Sequence, residues 1–110
     1  MPRLSRQRQE AIEAIRQRFA LGIPEKLRAI EKAAALLQDR GPEPELIDCL
    51  FRDAHGLAGS AGIFGYKEVA EAAAALETLM TEPPEMPAGV PGWKQQIASA
   101  MQRLRRSRAR

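Results

Sequence analysis

The feature that most constrains the fold is a run of apolar residues between positions 44 and 63. Successive members of this run are 4, 4, 3 and 4 positions apart: Leu46, Leu50, Ala54, Leu57 and Ala61. Because an α-helix turns by about 100° per residue, this spacing places all five side chains on one side of a helix. The pattern predicts a helix from Pro44 to about Ile63 with one side packed in a hydrophobic core.

The composition favours helices along the rest of the chain. Ala occurs 19 times and Leu 11 times, and both favour helices, whereas Val and Thr, which favour strands, occur twice each. Of the branched residues that favour strands, only Ile is frequent, with seven occurrences. Pro and Gly cluster at Gly41–Pro44 and Pro83–Gly92, with weaker breaks at Gly22–Pro24 and Gly65. The segments between these breaks predict further helices at about Ser5–Leu21, Pro24–Gln38, Tyr66–Met80 and Val90–Arg105.

Four of the five predicted helices are amphipathic and similar in length, which predicts an all-α fold, an up-down-up-down four-helix bundle. The first helix has Ile12, Ile15 and Phe19 on one face but few other apolar residues, so it is predicted as an additional N-terminal helix that flanks the core. Residues 1–110 form one domain on this interpretation, with flexible basic ends at 1–4 and 106–110. The other predicted core residues are Leu27, Ile30, Ala34, Leu37, Val69, Ala73, Leu76, Met80, Trp93, Ile97, Met101 and Leu104.

Length and cysteine content exclude several classes of protein. A chain of 110 residues has no room for a catalytic domain beside a cofactor domain. One Cys and one His allow neither an intrachain disulfide nor a Cys/His zinc site. There is no apolar run of 18 residues and no apolar core of a secretory signal near the N-terminus, so we expect a cytoplasmic protein without a membrane segment.

The charge is concentrated at the two ends of the chain. The net charge is +3, yet residues 1–10 carry +2 and residues 101–110 carry +5, so the 90 residues between them carry −4. These basic ends leave open an alternative function, a small basic helical protein that binds nucleic acid. The arginines concerned are Arg103, Arg105, Arg106, Arg108 and Arg110 at one end and Arg3, Arg6 and Arg8 at the other. The main interpretation predicts no nucleic-acid partner, because the predicted bundle itself is mildly acidic.

The single histidine, His55, lies within the predicted helix of residues 44–63. At about 100° per residue it projects roughly 150° from the mean direction of the apolar stripe, so it is predicted to face solvent. The imidazole of an exposed histidine is largely uncharged at neutral pH and has a free lone pair on one ring nitrogen, which makes it a nucleophile. Its neighbours on the same face are Phe51, Arg52, Ala58, Gly59 and Gly62.

Three glycines, Gly56, Gly59 and Gly62, occur in this predicted helix. Relative to alanine they cost the helix roughly 2–3 kcal/mol together, at about 0.5–1 kcal/mol each. Two structural alternatives remain for them: residues 56–65 could form a glycine-rich loop, or the glycines could permit close helix packing. A phosphate-binding loop is disfavoured because no Gly-Lys-Ser/Thr ending and no preceding strand are present.

The residues around His55 resemble a known family. The sequence here reads Ala54-His55-Gly56-Leu57-Ala58-Gly59-Ser60-Ala61-Gly62, and it is followed by Phe64-Gly65 and by a helix ending in Leu76-Glu77. This pattern resembles the histidine-containing phosphotransfer (HPt) domains of bacterial phosphorelays. The family pattern is His-x-Leu-Lys-Gly-Ser/Ala-Ala, followed by a helix that closes in Leu-Glu. The resemblance implies a four-helix bundle with an exposed, phosphorylatable histidine, which agrees with the helix count and the direction predicted for His55.

The resemblance implies a phosphocarrier in two-component signal transduction rather than an enzyme. His55 would accept a phosphoryl group from the phospho-aspartate of one receiver domain and pass it to an aspartate of another. The implied partners are response-regulator receiver domains and a (hybrid) sensor histidine kinase. The chain would have no cofactor or metal of its own, since Mg²⁺ is expected on the receiver domain, and it would act as a monomer.

One departure from the family pattern is Ala58, which stands where the family has a lysine near the phosphoryl group. Arg52 or Lys67 is predicted to supply that positive charge instead. The predicted docking surface for the partner consists of Phe51, Ala58, Gly59 and Gly62. Phe51 is either an exposed apolar side chain for the partner to cover or a partly buried side chain at the edge of the core, and the sequence leaves both open. The missing lysine leaves open a further alternative, a degenerate HPt-like bundle that binds receivers without phosphotransfer.

Overall fold

The computed structural model describes residues 2–108, and the side chains of residues 5–107. It contains four α-helices and no strand within that range: α1 (Pro2–Arg40), α2 (Pro44–Ile63), α3 (Lys67–Thr81) and α4 (Val90–Arg108). The all-α prediction is therefore confirmed. The bounds of α2, α3 and α4 lie close to those predicted from the sequence, although α4 runs three residues further.

The helices form an up-down-up-down bundle in which α1 and α3 each pack against both α2 and α4. Hydrogen bonds tie α1 to α4 in antiparallel register. The Gln38 side-chain amide donates to the Lys94 carbonyl (2.7 Å), and the Lys94 ammonium donates to the Gln38 carbonyl (2.8 Å). Further along both helices, Arg105 Nε donates to Glu31 Oε1 (2.7 Å). The predicted four-helix topology is confirmed.

The core lies between the four helices and is apolar throughout the described residues, where no polar or charged residue is buried. Every core residue predicted for the four amphipathic segments is buried except Leu46, which is half-buried near the start of α2. Apolar burial at about 25 cal/mol per Å² is the main force holding such a bundle together. It also fixes the rotation of each helix about its axis, and thereby the direction in which the remaining side chains point.

The predicted break at Gly22–Pro24 is wrong, because α1 continues through Pro24 as one helix of 39 residues. The flanking N-terminal helix is thus the first half of α1 rather than a separate element. A proline inside a helix removes a hydrogen bond and disfavours the structure. Here Phe19, Ile23 and Leu27 are all buried on one side of α1, so packing on both sides of Pro24 favours the uninterrupted helix.

The N-terminal part of α1 extends beyond the bundle. At 1.5 Å per residue α1 is about 58 Å long and α2 about 30 Å, and the longest dimension of the molecule is 61 Å. Residues 5–18 are exposed, including Ile12 and Ile15 at 53% and 50%. Phe19 is the first buried residue, and its ring lies 5.2 Å from that of Phe64 and 5.7 Å from that of Tyr66.

Short connections set the relative positions of α1, α2 and α3. Gly41 ends α1 with φ = 88° and donates its N–H to the Leu37 carbonyl (2.8 Å). Gly65, with φ = 82°, lies in the three-residue link between α2 and α3. Glycine suits both turns because other residues rarely adopt this left-handed conformation.

The two chain ends fall partly outside the described residues. Residues 2–4 and 106–108 belong to α1 and α4 as backbone, while Met1, Ala109 and Arg110 are not described. The flexibility of residues 1–4 and 106–110 therefore stays a prediction. None of the described helices is long and apolar enough to cross a membrane.

Candidate functional site

His55 lies near the middle of α2, on the side turned away from the core. The buried side of α2 consists of Leu50, Ala54, Leu57 and Ala61. With those residues packed inward, the His55 side chain is 69% exposed. The prediction that this histidine faces solvent is confirmed.

A carboxylate from α3 holds one nitrogen of the His55 ring. His55 Nδ1 lies 2.6 Å from Glu77 Oε1, and the Glu77 side chain is only 23% exposed. An ionised carboxylate accepts hydrogen bonds but cannot donate them, so Nδ1 carries the proton of this contact. In the neutral imidazole the lone pair is then on Nε2, the nitrogen that Glu77 does not occupy.

The resemblance to the family includes Glu77 only as the end of the motif, and the spacing of residues does not predict its contact with His55. The turn between α2 and α3 contains a signal that could have revealed this contact. Tyr66 lies in that turn, and His55 precedes it by 11 residues while Glu77 follows it by 11. In two antiparallel helices joined by a short link, residues equally distant from the turn lie side by side.

The ring of Phe51 stacks on the imidazole one helical turn away. The two ring centroids are 5.7 Å apart and the planes differ by 12°. Phe51 is half-buried against the core, so of the two interpretations of this side chain the partly buried one at the edge of the core holds. Together with the Glu77 contact, this stacking fixes both the plane and the rotation of the His55 ring.

The positive charges predicted to replace the family lysine lie at different distances from His55. Ala58 is half-buried on α2 and carries no charge. Arg52 lies on the same helix one turn before His55, and its Nη2 contacts Asp48 Oδ2 at 2.7 Å. Lys67 lies ten residues before Glu77 on α3, about 15 Å along the helix axis. The structure therefore brings Arg52, but not Lys67, to the level of His55.

The glycines of α2 are part of a regular helix. Neither the loop nor the close-packing interpretation holds, since α2 runs unbroken to Ile63 and a Cβ added to Gly56, Gly59 or Gly62 would have no neighbour within 4 Å. Gly59 and Gly62 are exposed beside His55, as predicted for a docking surface, while Ala58 and Phe51 are half-buried. Docking at these four residues stays a prediction.

Part of the basic C-terminal segment belongs to the bundle. Leu104 is buried, and Arg105 pairs with Glu31 of α1. These contacts give the segment a structural role at its start. They do not favour the nucleic-acid alternative.

Comparison with known proteins adds one match. A family model described as Hpt domain matches residues 9–107, which is nearly the whole chain. No curated protein and no solved structure matches the sequence significantly.

Proposed function

Because this chain belongs to the Hpt domain family, whose members carry phosphoryl groups on a histidine in two-component systems, we propose that the phosphorylated histidine of this chain is His55. The finer proposal is a phosphorelay step. His55 accepts a phosphoryl group from the phospho-aspartate of one receiver domain and gives it to an aspartate of another. The partners are response-regulator receiver domains and a sensor histidine kinase, and the chain acts in the cytoplasm as a monomeric phosphocarrier rather than as an enzyme.

The contact between Glu77 and Nδ1 is the observation that carries this proposal. It leaves the lone pair of Nε2 on the exposed side of the ring, where an incoming phosphoryl group can reach it. A histidine that merely covered a helix surface would not need a carboxylate and a stacked phenyl ring to hold its orientation. Such fixed orientation is what nucleophilic catalysis requires of its nucleophile.

The transfer step needs only one nucleophile from this chain. The Nε2 lone pair attacks the phosphorus of the aspartyl phosphate, an N–P bond forms, and the bond between phosphorus and the aspartyl oxygen breaks, so that the aspartate leaves as a carboxylate. Nδ1 keeps its proton, and the ring becomes positively charged. The Glu77 carboxylate stabilises this charge at 2.6 Å from Nδ1. In onward transfer the same bonds change in reverse.

The charge on the transferring group is neutralised from two sources. Mg²⁺ on the receiver domain supplies the larger part. On this chain we assign the supporting role to Arg52 rather than to Lys67. The pair between Arg52 and Asp48 is exposed on both sides, at 72% and 61%, and such i,i+4 pairs contribute only about 0.3–0.5 kcal/mol. A phosphoryl dianion on His55 can therefore draw the Arg52 guanidinium away from Asp48.

The test is incubation of the chain with phosphorylated receiver domains from the source organism, followed by detection of acid-labile phosphate. We expect label on the wild-type chain and none on His55→Gln, and ³¹P NMR should assign the phosphorus to Nε2. Label that persists in His55→Gln would place the nucleophile elsewhere. A chain that binds receivers but never takes up phosphate would be the degenerate bundle.

A second variant tests the docking surface around the histidine. Gly59→Glu should fold, because Gly59 is exposed and a Cβ at this position would have no neighbour within 4 Å. It should slow transfer, because the glutamate would stand between His55 and the partner. Unimpaired transfer by Gly59→Glu would contradict docking at this position.

A further inference from the structure

The core-facing stripe of α1 continues past the end of the bundle. Phe19 is buried and packs on Phe64 and Tyr66, in the link between α2 and α3. Ile12 and Ile15 precede Phe19 by seven and four residues, so at about 100° per residue their side chains point within about 40° of its direction. They face the space beyond the link and are 53% and 50% exposed. The stripe thus has two apolar side chains that the bundle itself does not cover.

This part of α1 and the link form an inward corner, which we call the α1 corner and define by Ile12, Ile15, Arg16, Phe64 and Tyr66. Phe64 and Tyr66 are half-buried, so part of each ring is open to solvent. The Arg16 guanidinium lies over the Tyr66 ring, 5.2 Å from its centroid, and such a contact favours one position of the charged group. The corner therefore combines an apolar surface with a positive charge that is already in place.

Positive charge follows the exposed stripe, whereas the acidic residues of the same segment do not. At about 100° per residue Arg8 points within about 20° of the Phe19 direction and Arg16 within about 60°. Glu10 and Glu13 diverge from that direction by about 180° and 120°. Arg8 is exposed and makes no ion pair within the described part of the chain. The surface next to the two isoleucines is therefore basic, and it is complementary to an acidic partner.

The isoleucines and the shape of the corner decide which kind of acidic partner fits. A nucleic acid would satisfy the arginines through its phosphates but would leave Ile12 and Ile15 against a polar backbone. A membrane-bound helix presents its apolar side to a nearly flat lipid surface, whereas Ile12 and Ile15 face inward, toward the link. A narrow protein segment with both apolar and acidic side chains meets both requirements, and an amphipathic helix is a common form of such a segment.

A second copy of this chain is a poor match for the same stripe. In an antiparallel pair with Ile12 of one copy opposite Ile15 of the other, Arg8 and Arg16 of the two copies would lie only about 4.5 Å apart along the helix axis. In a parallel pair, the Arg8 side chains would face each other. Like charges at such separations repel, so the occupant has to carry the opposite charge.

We infer that the α1 corner is a docking site for an acidic amphipathic helix of a partner protein. The apolar side of that helix covers Ile12 and Ile15, and its carboxylates face Arg8 and Arg16. Large apolar side chains that stay exposed on a basic, inward-facing surface are typical of interaction sites.

The α1 corner is separate from the proposed acceptor histidine. The part of α1 that shares a groove with Gly56, the neighbour of His55 in the chain, extends from Gly22 to Ala29. Ile12 lies ten residues before Gly22, which is about 15 Å further along the helix. A partner helix can therefore hold the chain at the corner while His55 stays open to a receiver, and this inference does not depend on the proposed function of His55.

The experiment uses a synthetic peptide of three heptads, with Leu at the a and d positions and Glu at the flanking e and g positions. A second peptide has Lys in place of each Glu. Binding of the labelled peptides to the full chain is followed by fluorescence anisotropy. The test variant combines Ile12→Gln and Ile15→Gln, and the matched control is Leu21→Gln. Leu21 is 83% exposed and points about 160° away from Phe19.

We expect the acidic peptide to bind the wild-type chain at least about tenfold more tightly than the lysine peptide, and more weakly as salt is added. The double variant should raise the Kd of the acidic peptide by about tenfold, Arg8→Glu should raise it as well, and Leu21→Gln should change it by less than about twofold. Circular dichroism checks the fold of each variant.

Four outcomes overturn the inference: no binding of the acidic peptide, equal binding of both peptides, equal effects of the double variant and Leu21→Gln, or tighter binding of phosphatidylglycerol vesicles or duplex DNA than of the acidic peptide. His55→Gln should bind the acidic peptide like the wild type. Failure of phosphotransfer to His55 would therefore overturn the proposed function and leave this inference intact.

Discussion

Replacing the three glycines on the exposed side of α2 by alanine should make the protein more stable and less active. The variant is Gly56→Ala, Gly59→Ala and Gly62→Ala combined. All three residues lie inside α2 without positive φ. An added methyl group would touch nothing within 4 Å. The usual reasons for a helical glycine, a left-handed turn or a close approach of another chain segment, are both missing.

The expected magnitude follows from helix propensity. Alanine is more favourable than glycine in a helix interior by about 0.5–1 kcal/mol, so the three changes should raise the free energy of unfolding by roughly 2–3 kcal/mol. For a domain of this size that corresponds to a rise in Tm of about 10 °C. Thermal and urea unfolding followed by circular dichroism measure both quantities.

The matched control is Gly65→Ala, in the turn that follows α2. Gly65 has φ = 82°, a conformation that costs a residue with a Cβ about 1 kcal/mol or more. This single change should lower Tm, in the opposite direction to the changes within α2. The phosphotransfer rate of the triple variant should fall, because three methyl groups then line the path to His55. A triple variant that is no more stable than the wild type would refute the reasoning that these glycines are unused by the fold.

The remaining predictions concern the charges around the acceptor. Glu77→Gln should lower the rate of phosphate uptake by about tenfold or more, since an amide cannot stabilise the positively charged ring as a carboxylate does. Rapid-quench kinetics measure this rate, and circular dichroism checks the fold of the variant. An unchanged rate would contradict the role of Glu77. Arg52→Ala should shorten the lifetime of the phosphorylated chain or slow its formation, whereas Lys67→Ala should behave like the wild type. A larger effect of Lys67→Ala than of Arg52→Ala, measured as loss of acid-labile label over time, would reverse the assignment of the supporting charge. Leu50→Ala truncates a fully buried side chain of α2. It should lower the free energy of unfolding, measured by urea unfolding, by about 2–5 kcal/mol. A loss below about 1 kcal/mol would contradict the position of Leu50 in the core.

The sequence was sufficient for α2, α3 and α4 and for the side of each helix that faces the core. Apolar spacing is a local property, and it reports burial directly when a bundle has one core. The same spacing set the rotation of α2, and with it the exposure of His55. These predictions succeeded because each depends on only one helix.

Predictions that depend on two elements at once were less accurate. Pro24 was interpreted as a break because a proline disfavours a helix, yet packing of Phe19 and Leu27 on both sides of it keeps α1 continuous. The burial of Phe51 and the contact of His55 with Glu77 likewise depend on where α3 lies relative to α2. Spacing within one helix contains no such information, although the short link around Gly65 restricts the register strongly.

The uninterrupted path of α1 through Pro24 has a mechanical consequence. Because α1 leaves the bundle as one continuous helix, a domain fused before Pro2 would be held at a fixed distance from His55. It would also be held at a fixed angle about the helix axis. Removing one residue between positions 5 and 18 would turn such a fusion by about 100° and draw it closer by about 1.5 Å, while removing seven would nearly restore the angle at a spacing shorter by about 10 Å. The projecting half of α1 would thus fix both the distance and the rotation of the fused part relative to the bundle. Its length would determine which side of the fused part faces a receiver bound at the histidine.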